Sequence, residues 1–520
     1  MSIKVVIKSN TYFDSVSLMS LSTKANQIEG VEQAVIAMGT EMNKEVLQNV
    51  GLLTAELEQA KSSDLMIVIK AATDDISEAA YESVEQLFTK KNNGKQGTGE
   101  VVYATIDSAA KSNSNANLAV ISVNGKFAAR EARKALENDL HVMMFSDNVS
   151  IEDEYELKTF AHEKGLLMMG PDCGTAIISN VGLCFANKVR KGSIGIVAAS
   201  GTGSQEVSVR IHDFGGGITQ LIGTGGRDLS EQIGGIMMLD GMRALDADEE
   251  TKVIVLVSKP PAPSVEQKVL AEIKKCSKPV VVYFIGGSEE AVKAAGGHFA
   301  KTTKEAALQA VLLEGADESK INKRALNLPL IAEVKSKLKP EQKYIRGLFC
   351  GGTLCDESMY LAMEKYDDVY SNIPKNPEFR LKDLGVSQAH TFIDFGNDEF
   401  TNGRPHPMID PSLRIERFEQ EAKDPEVGVI LLDFILGFGA HEDPVGVMLP
   451  SIIKAKQEAE QAGRHLEILG YILGTELDRP TLESQVNKLL SAGVTHASSS
   501  TNAGLLARGF VEKEGAAKHE

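Results

Sequence analysis

Four turns in the sequence place Gly and polar residues directly after short apolar runs. They are Ala199-Ser200-Gly201-Thr202-Gly203-Ser204-Gln205-Glu206, Gly223-Thr224-Gly225-Gly226-Arg227-Asp228, Cys350-Gly351-Gly352-Thr353 and Leu436-Gly437-Phe438-Gly439-Ala440-His441. Gly lets a backbone approach an anion closely, and a helix start leaves N–H groups free with about half a positive charge. Such turns therefore suit phosphate, although each also serves as a plain strand-to-helix connection. The most polar cluster is Gly403-Arg404-Pro405-His406-Pro407-Met408-Ile409-Asp410-Pro411. Its three prolines stiffen the loop and can fix Arg404, His406 and Asp410 in place. Arg suits two-pronged capture of a carboxylate or phosphate, and His suits proton transfer. The bland alternative is a rigid loop in which Arg404 and Asp410 pair with each other. Asp394 and Asn397, at the end of a nearby apolar run, carry the same two readings. His441 stands out among the histidines because it follows a Gly-rich turn. Cys173 and Cys350 sit in turns and read as small buried thiols.

Nucleotide fingerprints fail. Gly201-x-Gly203 is followed by Glu206, and Gly223-x-Gly225 by Asp228, where a dinucleotide turn needs Gly or Ala. No GxxxxGK[ST] occurs. Acidic residues outnumber basic ones by 72 to 55, a net charge of −17, which argues against nucleic acid and anionic membrane surfaces. Five Cys without a CxxC pair argue against structural zinc and a disulfide framework. The alternating start Met-Ser-Ile-Lys-Val-Val-Ile-Lys is unlike a signal peptide, and the Gly165–Asn187 stretch, with Pro171 and Asp172, is no membrane helix. A cytoplasmic protein is expected.

These turns need strands and helices to hold them. The length of 520 residues predicts three or four domains, and abundant Gly (46) with few aromatics (5%) suits α/β units. Residues 1–96 read as a small α+β domain of ACT or ferredoxin-like type, with strands at Ile3–Lys8, Glu32–Met38 and Asp64–Ala71 and a closing helix over Ile76–Phe88. Lys90–Gly97 reads as a linker. From Val101 onward, short runs apolar on both parities alternate with helical segments, at Val101–Ile106, Leu118–Val123, His141–Phe145, Leu166–Met169, Ile194–Ala199, Ile218–Ile222, Lys252–Val257 and Pro279–Phe284. That pattern predicts parallel sheets covered on both faces.

The last third repeats the middle. Ser193–Thr202 is echoed by Tyr344–Thr353, Asp248–Val257 by Asp424–Asp433, Lys278–Gly286 by Leu466–Gly474, and Ala294–Thr303 by Leu490–Ser499. Domains are expected at 100–190, 191–325 and 343–512, the last two alike and joined near Leu326–Glu341.

Gly170-Pro-Asp-Cys-Gly174, Gly195-Ile-Val-Ala-Ala-Ser-Gly-Thr202 and Gly223-Thr-Gly-Gly-Arg-Asp228 resemble turns of the succinyl-CoA synthetase alpha subunit. Tyr344 to about Phe510 is similar to the carboxy-terminal domain of the beta subunit, with Asp433-Phe-Ile-Leu-Gly-Phe-Gly439 at a helix start. Over the whole chain the sequence resembles the FdrA family, through Ser146-Asp147-Asn148-Val149-Ser150 and Gly403–Pro411. The resemblance implies a Rossmann-like CoA-binding-type domain followed by two flavodoxin-like domains. It also implies that Ser200, Gly201, Thr202 and Gly203 face Gly437, Gly439 and His441 across a transferring phosphate.

Two departures shape the implied chemistry. The phosphohistidine loop is absent, because Ile285-Gly-Gly-Ser-Glu-Glu leads straight into a helix, and Ser258-Lys259-Pro260-Pro261 replaces the segment that supports it. The ATP-grasp region is missing between the halves. The resemblance therefore implies a subunit of a carbamoyltransferase that interconverts oxamate plus carbamoyl phosphate with oxalurate plus phosphate. Lys259 or Arg227 would neutralise the phosphate, Gly225 would belong to the same anion-binding edge, and Arg404 would hold oxamate beside His406. No metal and no cofactor would be required, and further operon-encoded subunits and self-association are expected. The alternative is an acyl-CoA synthetase that binds CoA and takes its ATP-binding domain from a partner chain; a non-catalytic scaffold is the third reading.

Overall fold

The computed structural model describes residues 2–9, 11, 13, 15–26, 28, 30–95, 103–401 and 404–512. They form two compact units, Met1–Tyr103 and Ala104–Glu520. In the first, β1 (Ser2–Lys8), β2 (Val31–Met38) and β3 (Leu65–Ala71) make an antiparallel sheet with β3 at its centre. β3 is apolar on both parities because both of its faces are covered. Leu65, Ile67 and Ile69 pack with Leu18, Leu21, Ala80 and Val84, while Met66 and Val68 pack with Leu47, Leu52 and Leu57. The closing helix is longer than expected, Asp74–Lys95, so the first six residues of the expected linker are helical. Gln96 and Gly97 lie outside the described residues.

The second unit opens with a parallel sheet of β4 (Leu118–Ile121), β5 (His141–Met144) and β6 (Met168–Met169). Val101 and Val102 of the strand expected at Val101–Ile106 lie outside the described residues. Ile106 instead begins a helix whose capping box is closed by Thr105 and Ser108, a polar start signal that outweighs the short apolar run. A hairpin follows, β7 (Thr175–Ile178) and β8 (Val181–Cys184), turned by Ser179 and Asn180 at φ 50° and 64°. Two successive left-handed residues match the twist of a tight hairpin.

The hairpin borders a sheet of β9 (Lys191–Ala198), β10 (Ile218–Gly223), β11 (Val253–Ser258), β12 (Val280–Phe284) and β13 (His298–Phe299). Its order is β13-β12-β11-β9-β10-β7-β8, with β7 antiparallel to β10. The last sheet is wholly parallel: β14 (Tyr344–Phe349), β15 (Val369–Ser371), β16 (His390–Asp394), β17 (Val427–Ile435), β18 (Glu467–Leu473) and β19 (Thr495–Ala497), ordered β15-β16-β14-β17-β18-β19. Apart from the extra edge strand β15, β19-β18-β17-β14-β16 repeats β13-β12-β11-β9-β10. All four sequence echoes fall on equivalent elements of the two repeats.

The helices that matter below are α1 (Gly201–Asp213) after β9, α2 (Ile236–Ala247) before β11 and α3 (Thr303–Glu314) after β13. Their counterparts are α4 (Gly352–Met363) after β14, α5 (Ser412–Glu421) before β17 and α7 (Ser500–Val511) after β19; α6 (Leu449–Gln461) precedes β18. One core runs through both repeats, with Val207 and Ile211 of α1, Leu354 and Met359 of α4, and Leu506 and Phe510 of α7. Residues 202–212 of α1 and 353–359 of α4 are all buried. Two flavodoxin-like repeats thus share one interior, which fixes the relation between their strand ends.

Candidate active site

In an open parallel sheet, ligands gather at the carboxyl ends of the strands, where the order reverses. In the first repeat that point lies at the ends of β9 and its neighbours β10 and β11. Ser200, extended at φ −159°, caps α1 by accepting the Gly203 N–H at 3.1 Å. The segment facing this turn is Gly351–Thr353, at the start of α4. The Thr353 N–H donates to Thr202 Oγ1 at 3.3 Å, and the hydroxyls of Ser200 and Thr353 are hydrogen-bonded.

This corrects the expectation that Gly437–His441 starts the opposing helix. Gly437 and Gly439 have φ of 126° and 75°, outside helical space, and the next helix, α6, begins only at Leu449. The turn is tied instead to the segment between β8 and β9. Phe438 N donates to Ala186 O at 2.9 Å, and Asn187 Nδ2 donates to Leu436 O at 2.8 Å. On the other side of that segment, Gln205 of α1 donates to Phe185 O and to Asn187 Oδ1. Residues 185–187 therefore lie between the two turns. His441 holds its own turn, accepting Asp443 N at Nδ1 (2.9 Å).

The two helix starts that do meet are not equivalent in charge. At α4, the Asp433 carboxylate accepts the N–H groups of Cys350 (2.8 Å) and Gly351 (2.9 Å) and pairs with Arg414 at 2.6 Å. A Cβ added to Gly352 would lie 2.6 Å from Asp394 Oδ2. Side-chain carboxylates already occupy that anion site. In the first repeat the position of Asp433 is taken by Val257. Among the described residues no carboxylate hydrogen-bonds to the first turn of α1. Beside it, Thr175 Oγ1 is buried without a hydrogen-bond partner, 3.8 Å from where a Cβ on Gly201 would stand. Burying an unpaired hydroxyl costs about 1–3 kcal/mol, so an anion accepting this proton would relieve a real penalty.

Charged groups surround this edge. Lys259, just past β11, is 3.2 Å from Asp356 of α4, and its side chain keeps 45% of its accessible surface. Burial opposes its charge, but Asp356 and Asp394 outweigh this and raise its pKa above the ordinary lysine value. Asp394 is buried, and loss of hydration pushes its carboxyl up to about 6 despite Lys259, with Asp356 and Asp433 adding to the rise. Asp172 sits in the Gly170–Gly174 turn at φ 55°. Solvent reaches it, and a Cβ on Gly226 would stand 3.9 Å from its Oδ2, on the facing wall of the turn. Partial dehydration, with Asp147 and Asp398, pushes it up to about 7 against Arg227 and Lys259. Gly225 (φ 85°) closes this wall, since a Cβ there would lie 2.3 Å from Pro171 O. Arg227 donates to Glu154 Oε2 (2.9 Å) and Val149 O (2.8 Å).

His406 enters from the second repeat. Its Nδ1 accepts Met408 N at 3.2 Å, which leaves the proton on Nε2 in the neutral ring. Burial lowers its pKa to about 4. A Cβ on Gly396 would meet His406 Nε2 at 2.8 Å and Asp394 Oδ1 at 3.1 Å, so these two groups flank one small space. The rest of the expected cluster holds loops. Asp410 Oδ1 accepts Ser412 N at 3.0 Å, at the start of α5, and Asn397 Oδ1 accepts Glu399 N at 3.3 Å. Arg404 is exposed, and the ion pair with Asp410 that the rigid-loop reading expects does not form among the described residues; Gly403 lies outside them. Cys173 and Cys350 are buried, and loss of hydration drives both thiols up, Cys173 to about 12. Asp228, which counted against a dinucleotide, accepts Met238 N at 2.8 Å beside the start of α2 and pairs with buried Lys158.

Sequence reasoning missed Asp172, Thr175 and Asp356. Asp172 stood inside a quoted motif and carried a signal as a charged residue in a Gly-Pro turn. Thr175 and Asp356 carried none, because only tertiary packing brings them to the cleft.

Three family models match the chain: "AllF, heavy metal-associated domain" over residues 1–103, "CoA binding domain" over 189–286 and "CoA-ligase" over 348–510. The second covers β9 to β12, so the matched span falls in the first flavodoxin-like repeat. The Escherichia coli (strain K12) "Uncharacterized protein YahF" is 63% identical over 513 residues, 99% of each chain. Succinate–CoA ligase [ADP-forming] subunit alpha 2 of Archaeoglobus fulgidus is 31% identical over 202 residues, 37% of this chain and 68% of that one. Among solved structures, the apo dinucleotide-forming acetyl-coenzyme A synthetase 1 of Ca. Korarchaeum cryptofilum is 17% identical, with a TM-score of 0.36 over 79% of this chain and 86% of that one. The chain belongs to the succinyl-CoA synthetase superfamily and, within it, to the family of the Escherichia coli protein YahF. Curated enzymes that it matches include alpha subunits of succinate–CoA ligases, which supports the ligase-like reading and not the carbamoyltransferase one. Residues 1–103 contain no Cys and no His, so the first unit lacks the thiol and imidazole ligands that soft metals take.

Proposed function

We propose that the chain catalyses acyl transfer between phosphate and the thiol of CoA, the ligase-type half-reaction that needs no nucleotide. The observation that carries this reading is the start of α1, to which no carboxylate among the described residues hydrogen-bonds, with the unpartnered Thr175 hydroxyl beside it. An acyl phosphate bound there places its phosphoryl oxygens against N–H groups, the Thr175 hydroxyl and Lys259. In the forward step the carbonyl carbon–oxygen bond to phosphate breaks and a carbon–sulfur bond to CoA forms. Inorganic phosphate leaves, and the thiol proton passes to a cleft carboxylate, for which Asp172 at about 7 is suited. Donors already fixed at the leaving group cost no reorganisation during reaction. His406, neutral and protonated on Nε2, can donate to the carbonyl oxygen as charge develops.

Making the acyl phosphate from a nucleoside triphosphate then falls to a partner chain. The absent P-loop and the short 326–341 connection between the repeats, which leaves no room for an ATP-binding domain, support this division. The test is thioester formation by purified chain from CoA with acetyl, succinyl or carbamoyl phosphate. Thioester from any of them supports the reading. Oxalurate from carbamoyl phosphate plus oxamate, with no thioester, would replace it by the carbamoyl-transfer reading.

A further inference from the structure

The turn Gly437-Phe438-Gly439, displaced from the cleft, raises its own question. It follows β17, and the loop Leu477-Asp478-Arg479 follows the adjacent strand β18, so both lie on the ligand-binding edge of the second sheet. Gly437, Phe438, that loop and Lys188 line a pocket of about 190 Å³. Phe438 is 52% exposed, although its backbone is pinned to Ala186 and flanked by two left-handed glycines. One side of its ring rests on Gly182, where an added Cβ would approach within 3.0 Å. The fold thus leaves an aromatic ring half exposed to water on a pinned backbone, at a cost in unburied apolar surface.

The pocket's positive charge is only partly compensated, with two cations against one acid. Its one acid, Asp478, is buried and satisfied by the N–H groups of Asn187 Nδ2 (2.9 Å), Lys188 (2.8 Å) and Thr475 (2.8 Å). Arg479 donates to Asp478 O, and neither Arg479 nor Lys188 forms an ion pair among the described residues. Two free cations beside an exposed ring, in a chain of net charge −17, suit a ligand with a flat π-face and a negative group.

We propose that this pocket binds a small aromatic anion: one aromatic ring, stacked on Phe438, bearing a phosphate or carboxylate held by Lys188 and Arg479. The volume admits one ring system and leaves the anionic group at the rim. No lining residue belongs to the Lys259 cleft, so the proposal stands apart from the acyl-transfer reading.

The test is calorimetric titration of the full chain with phenyl phosphate, benzoate and AMP, against inorganic phosphate. It is done in the Gly201→Val background, which silences the α1 site. Aromatic anions should bind about tenfold or more tightly than inorganic phosphate, a preference of the size set by one stacked ring. Phe438→Ala should abolish the preference, Phe438→Tyr should keep it, and Lys188→Ala with Arg479→Ala should remove binding. Phenyl phosphate against AMP and benzoate separates a phosphate-bearing ligand from a carboxylate-bearing one. Equal binding of aromatic and inorganic anions would overturn the proposal. So would a change in oligomeric state on Phe438→Ser without aromatic-anion binding in the parent, which would show the ring to be covered by another copy of the chain.

Discussion

Glu206 and Glu357 occupy the same position in the two repeats, the sixth residue of α1 and of α4, and each serves the other repeat. Glu206 Oε1 accepts the N–H of Ser500 at the start of α7 (3.2 Å), and Glu357 Oε1 accepts that of Thr303 at the start of α3 (2.8 Å). Each carboxylate thus neutralises a helix N-terminus that its own repeat does not contain. Thr202 and Thr353, also equivalent, meet on the same approximate two-fold. The exchange fixes the repeats against each other and so sets the geometry of the cleft at the ends of β9, β11 and β16.

Glu357→Ala should be strongly destabilising. Glu357 also accepts from the hydroxyls of Thr303 (3.0 Å) and Thr501 (3.2 Å), all in buried surroundings. Their loss leaves buried donors unsatisfied, a cost of about 2–4 kcal/mol in urea unfolding. The double variant with Glu206→Ala should lose less than the sum of the single losses, because the two groups share one interface.

The pH dependence has a definite sign. Burial pushes Glu357 up to about 6 from its ordinary 4.5, with Glu206 adding to the rise. A carboxyl raised on folding contributes fully below its unfolded value and loses that contribution as pH climbs through the folded one. Stability should therefore fall between about pH 4.5 and 6 by roughly 2 kcal/mol from this group. Glu357→Gln, which does not titrate, should remove that part of the slope in Tm against pH.

Much of the fold could be read directly from residue patterns, because hydrophobic periodicity is local. The runs at 194–199, 218–222, 252–257 and 279–284 became β9 to β12, and the repeat located β14, β17, β18 and β19. The site was legible only in half. Ser200–Gly203 announced itself by composition, but Gly437–Gly439 looked equally good, and positive φ at both glycines is invisible in a one-letter string. The charge asymmetry rests on Asp433 against Val257, a difference that gains meaning only when the repeats are superposed. Asp356 reaches Lys259 from another domain across about a hundred residues of chain, and no spacing rule encodes that.

Gly201→Val and Gly439→Val should behave differently. A Cβ on Gly201 finds only Thr175 Oγ1 and Gly174 Cα, at 3.8 and 3.9 Å, so the variant should fold normally and lose phosphate binding. Gly439 has φ 75° and Phe185 at 3.3 Å, so its substitution should lower stability by about 1–3 kcal/mol. Thermal melts paired with phosphate titration separate the two outcomes.

Lys259→Met should weaken phosphate binding by about tenfold, the value of one charge-assisted contact. Lys259→Arg should recover part of it. Removal of the cation should also raise the Asp356 and Asp394 carboxyls further, since Lys259 is the group that lowers both. The pH profile of acyl transfer should shift upward in the Met variant and not in the Arg variant.

Thr175→Val reaches the central claim most directly. The hydroxyl is buried and unpartnered, so replacing it by a methyl of similar shape should leave the ligand-free chain equally stable or slightly more so. The same change should weaken binding of inorganic phosphate, measured by calorimetry, by about tenfold and lower thioester formation from acyl phosphate and CoA with it. Unchanged phosphate affinity in Thr175→Val, with wild-type binding intact, would contradict the assignment of the α1 start as the phosphate site.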